Sequence, residues 1–82
     1  MNPKIKQHIE QKVQTASIAM QAYRDALATV RGYATTARAQ KVDAPTQQAL
    51  DRLLRVAEME FANAAAALRA YEDVLAGKEP FG

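Results

Sequence analysis

The chain has no cysteine and no tryptophan. Without cysteine it can hold neither a disulfide staple nor a thiolate-bound metal, and the lack fits a reducing compartment. Its single histidine is too little for a zinc site, which needs several imidazole or carboxylate donors at set spacing. His8 with Glu10, Glu72 and Glu79 is the one grouping the open end of a hairpin could gather, and a solvated helix end explains it more simply. One histidine and no thiol also leave no nucleophile–base–orienter set. The carboxylates Glu58 with Glu60, and Glu72 with Asp73, sit at helical spacings that point them apart. We expect no catalytic residues, no cofactor and no metal, and therefore no enzyme.

Three glycines and three prolines in 82 residues leave few places to turn and no glycine-rich phosphate loop. No apolar run approaches the ~20 residues of a membrane span. The segment Met1 to Lys12 is polar and carries no apolar core of a secretory signal. Charge of one sign is lacking too: 11 basic against 9 acidic side chains give a net +2, too little to demand nucleic acid or a membrane as partner. The expectation is a soluble cytoplasmic protein of the bacterial or phage accessory kind. Its length permits one small domain with a modest core, a size at which oligomerisation often supplies the missing burial.

What the chain does have is alanine and helical periodicity. Asn2 and Pro3 form an N-cap followed by a proline whose missing N–H costs nothing at the first helical position. Apolar or small residues then recur at Ile9, Val13, Ala16, Met20, Tyr23, Leu27, Val30, Ala34 and Ala37. The spacing alternates between four and three, a heptad seam with d positions at Ile9, Ala16, Tyr23, Val30 and Ala37. Gly32 falls inside this helix and, with Thr35 and Thr36 following it, predicts its weakest turns there. Lys41-Val42-Asp43-Ala44-Pro45 interrupts the pattern. Asp43 or Ala44 should cap a second helix with Pro45 in its first turn. The seam resumes at Leu50, Leu54, Ala57, Phe61, Ala64, Leu68, Tyr71 and Leu75, and Gly77 and Pro80 end it. The boundaries predicted are helix 1 at about residues 3–40, a turn at about 41–45, helix 2 at about 45–76 and a short tail at about 77–82, all within one domain spanning 1–82.

An antiparallel hairpin brings together seam residues that are equidistant from its turn. Ala34 and Leu50, Val30 and Leu54, Leu27 and Ala57, Tyr23 and Phe61, Met20 and Ala64, Ala16 and Leu68, Val13 and Tyr71, and Ile9 and Leu75 are all placed symmetrically about Val42. Alanine faces a larger residue in four of these layers, which keeps the helix separation near constant. Tyr23 with Phe61 is the bulky layer, an expected aromatic contact. The fold expected is all-α: an antiparallel, coiled-coil-like two-helix hairpin that dimerises into a four-helix bundle.

The two flanks of the seam differ. One (the e positions) carries Glu10, Ser17, Arg24, Arg31 and Arg38 on helix 1 and Asp51, Glu58, Ala65 and Glu72 on helix 2. Arg31 with Asp51 and Arg24 with Glu58 are the ion pairs this layout suggests. The other flank (the g positions and the adjoining c positions) stays apolar for most of its length. Ile5, Ala19, Ala22, Ala26, Tyr33, Leu53, Val56, Ala67, Ala70 and Val74 form the expected oligomer interface, with Lys12, Glu60 and Asn63 interspersed and Phe81 near one end. An apolar face of this length should not stay in water. Ile18 and Met59, large apolar residues outside both flanks, are candidates for binding a further protein.

The reading that follows is an interaction module, such as a small adaptor, inhibitor or assembly subunit, acting as a homodimer or higher oligomer on an unidentified protein partner. The competing reading is a hairpin dimer that binds nucleic acid or a nucleotide through Arg24, Arg31, Arg38, Lys41, Arg52 and Arg55, chiefly by phosphate contacts. Asp51 and Glu58 would neutralise part of that stripe, and Tyr33 is the only aromatic near it for base stacking. A membrane-surface helix fits less well, because the apolar arc lacks the dense basic rim and the aromatic content such helices carry.

Overall fold

The computed structural model describes residues 2–77; Glu79, Pro80 and Phe81, to which the sequence pattern gives places at the open end, lie outside them. Two helices make up the fold: α1, Pro3–Ala39, and α2, Ala44–Leu75. They pack along their length as an elongated all-α hairpin of 57 × 22 × 15 Å, with no strand among the described residues.

Local chemistry sets each boundary. Asn2 caps α1 by accepting the Lys4 N–H at 2.8 Å, with Pro3 as the first helical residue. Asp43 caps α2: one carboxylate oxygen accepts the Thr46 N–H at 3.2 Å and the other accepts the Thr46 hydroxyl at 2.8 Å. Between them α1 ends in a paired closure in which the Val42 N–H donates to the Ala37 carbonyl at 3.2 Å and the Lys41 N–H to the Arg38 carbonyl at 3.3 Å. That pattern requires a left-handed residue after the C-cap, a place usually taken by glycine. Here it is Lys41, with φ 53°. Gly77 plays the same part after α2, with φ 74° and its N–H on the Val74 carbonyl at 3.1 Å.

The core is the seam. The buried residues are Leu27, Ala34, Ala37 and Ala57, every one at a predicted seam position. The other seam residues are half-buried, except Tyr23, which is exposed. Tyr23, with its seam neighbours Ala16 and Ala64, also lines a groove on the apolar flank. Among the described residues no large side chain is fully buried; two helices alone cannot enclose one.

The helix runs unbroken past Gly32 to Ala39, and Ala34 and Ala37 beyond it are among the best-buried residues in the chain. Packing against α2 outweighs the low intrinsic propensity of that stretch.

The charge pairing differs from expectation. Arg31 does not pair with Asp51, nor Arg24 with Glu58. The ion pair found among the described residues is Arg38 to Asp51, at 2.9 Å. Helical side chains lean toward the N-terminus of their own helix. In an antiparallel hairpin, arginines on α1 therefore lean away from the turn, while carboxylates on α2 lean toward it. Each partner must start from a Cα further along its own chain than a level layer would suggest, so Asp51 meets Arg38 rather than Arg31.

Candidate interaction surface

The apolar flank is open along its whole length. Near the turn, Tyr33, Leu53 and Val56 present about half or more of their surface to solvent, and Ile5 does the same near the open end. Val74 and Ala70 are half-buried, as is Ala19, while Ala22, Ala26 and Ala67 are exposed. Their placement follows from helical periodicity: residues at g and c positions share one side of the seam on each helix. All ten interface candidates thus lie on one side of the hairpin.

The middle of this flank is a shallow groove of about 280 Å³ lined by Ala16, Ala19 and Tyr23 from α1 and Glu60, Asn63, Ala64 and Ala67 from α2. The residues that meet there come from levels nearly equidistant from Val42, as the mirrored register requires. Alanines make the floor, so another helix could approach closely; Tyr23 forms one wall. Sequence reasoning placed Tyr23 in the core and missed this role.

Ile18 and Met59 are exposed at 73% and 63%. Both occupy f positions, so each points away from the seam on the back of its own helix. They face opposite sides of the hairpin and form no joint patch.

The basic candidates divide into three groups. Arg24 and Arg31 border a depression of about 470 Å³ together with Leu27, Ala28, Glu58 and Phe61. Arg38 is held by Asp51, whose same oxygen also accepts from the Gln47 amide at 3.1 Å. Lys41 sits in the turn, Arg55 lies beside the charged flank, and Arg52 lies on the outer face of α2. A phosphate chain tracking this region would meet Glu58 and Asp51 among the cations.

Among the described residues no three histidine, aspartate or glutamate side chains come together as a metal site, and no helix is long and apolar enough to cross a membrane. Asp43 is held below the ordinary aspartate value of 3.8 by the hydroxyl and backbone N–H of Thr46. That is a helix cap.

No protein-family model, curated protein or solved structure matches this chain.

Proposed function

We propose that the chain is a non-enzymatic protein–protein interaction module that works as a homo-oligomer through its apolar flank. The simplest form is a two-fold dimer closing a four-helix bundle. The observation that carries this reading is the one-sided exposure of Ile5, Tyr33, Leu53 and Val56 on a hairpin whose buried residues are one leucine and three alanines. Size points the same way. A compact monomer of this mass exposes about 4,800 Å², whereas this chain exposes 6243 Å². The excess, on the order of 1,000 Å², is comparable to the ~800 Å² each partner contributes to a standard interface.

With the flank covered by a second copy, Ile18 and Met59 are the large apolar side chains left for a further protein. Such a module would act as an adaptor, inhibitor or assembly subunit.

Sedimentation velocity on the full chain tests the reading. The expected result is a dimer or larger species at micromolar concentration, lost in Ala67→Glu, which places a charge on the groove floor, and retained in Arg31→Ala. A stable folded monomer would overturn it, and the reverse pattern of variants would move the interface to the charged flank. The arginine reading is separated by salt: association through the apolar flank survives ~0.5 M salt, whereas phosphate binding collapses.

A further inference from the structure

Among the described residues the apolar flank carries two charged side chains, Lys12 on α1 and Glu60 on α2, both exposed in the lone hairpin. Each helical residue advances about 1.5 Å, so sequence distance from Val42 gives height above the turn. Lys12 stands at about 45 Å and Glu60 at about 27 Å. The gap of about 18 Å is too wide for them to meet within one chain.

Their mean height, about 36 Å, is the level of Ala19 and Ala67 in the alanine-floored groove. The large apolar residues share that midpoint. Leu53 stands at about 16 Å and Ile5 at about 56 Å, with the same mean. Val56 and Val74, at about 21 and 48 Å, centre within about 2 Å of it. A flank whose charges and bulky groups balance about one level is complementary to itself when turned end over end.

We propose that two copies of this chain pack flank to flank in opposite directions, about a two-fold axis crossing the helices at the level of Ala19 and Ala67, so that Lys12 of each copy pairs with the partner's Glu60. This rests on the self-association proposed above and adds its direction and register. The axis lies in the interface, so α1 packs on the partner's α1 and α2 on the partner's α2, with the g positions turned toward the bundle centre. Leu53 near one copy's turn then covers the partner's Ile5 near its open end.

The charges decide between the two possible directions. Same-direction packing sets Lys12 level with the partner's Lys12, and Glu60 level with the partner's Glu60. Both like-charge contacts would fall in a layer that association strips of water, where an uncompensated charge is strongly unfavourable. Opposite-direction packing replaces them with two equivalent attractive pairs. The apolar residues alone do not discriminate, since either direction sets hydrophobic against hydrophobic.

A charge-swap series with a distance measurement tests the proposal. Dimer dissociation constants are measured for the unaltered chain, Lys12→Glu, Glu60→Lys and the double variant, with helix content checked by circular dichroism. Each single change should weaken the dimer by about tenfold or more, and the double change should restore it to within about threefold. Spin labels on Gln48→Cys, an exposed site near the turn, should lie roughly 50 Å apart across the dimer. A dimer with labels within ~25 Å, and with no rescue in the double variant, would overturn the proposed direction while leaving self-association intact. An unaltered chain that stays monomeric would overturn both.

Discussion

Lys41 occupies the place after a helix C-cap where glycine is the usual choice, and its φ of 53° crowds a side chain that glycine would not have. A left-handed conformation costs an L-residue roughly 1–2 kcal/mol, partly offset by the greater chain entropy glycine loses on folding. Lys41→Gly should therefore stabilise the fold by about 1 kcal/mol. Gly32 presents the opposite case. It lies inside a helix, and a Cβ added there would meet nothing within 4 Å. Gly32→Ala should also gain about 1 kcal/mol. In a chain of this size either change should raise the melting midpoint by about 4–8 °C, read by thermal circular dichroism at fixed protein concentration. Asp43 makes the fold acid-sensitive at one point. Because its folded pKa lies below the ordinary value of 3.8, the folded chain binds fewer protons there than the unfolded chain. The cap's electrostatic contribution is thus complete above that ordinary value and is lost as pH falls through the lowered folded one. Asp43→Asn, which keeps an accepting oxygen, should remove this site's share of the acid sensitivity, visible as a flatter dependence of midpoint on pH below about 4.

At the scale of the helix pair, the residues that matter are unequal in a way their exposure predicts. Leu27 is the one large side chain among the buried four, so Leu27→Ala removes apolar contact from both helices and should cost about 2–3 kcal/mol. Arg38→Ala breaks a pair whose arginine side chain is 60% exposed, and should cost less than about 1 kcal/mol. Urea unfolding of the two variants beside the unaltered chain checks the contrast; equal losses would mean that the charged flank holds the hairpin as much as the seam does. The seam itself was legible in the bare sequence, because the four-three alternation is unbroken in both helices and the two halves mirror about Val42. The caps at Asn2 and Asp43 were legible too, since each places an accepting side chain just before a helix-starting proline segment. The ion pair was not. Layers counted by residue number describe Cα levels and ignore the backward lean of side chains, an error that grows with side-chain length and so falls on arginine first. The left-handed turn was also hidden, because lysine is no signal for it. Tyr23 was assigned to the seam by its spacing, and its place on the groove was not read from the sequence.

For the whole molecule, the proposed association carries a thermodynamic signature that the hairpin alone would lack. If folding draws on the flank, the melting midpoint should rise with protein concentration, as mass action requires of any folded state stabilised by a partner. A midpoint constant over a hundredfold dilution would count against the dimer. The buried residues are also unevenly placed: Ala34 and Ala37 lie close to the turn, while the seam near Ile9 and Leu75 is only half-covered. The seam is more tightly closed near the turn than near the open end. Local opening follows such gradients, with amides in well-packed regions exchanging through rarer fluctuations than those near a free end. In a head-to-tail pair, the more tightly closed end of each rod lies across the less closed end of its mate. Amide exchange near Ile9 should then slow with rising concentration, while that near Ala37 changes little, so that each copy serves as the missing end of the other.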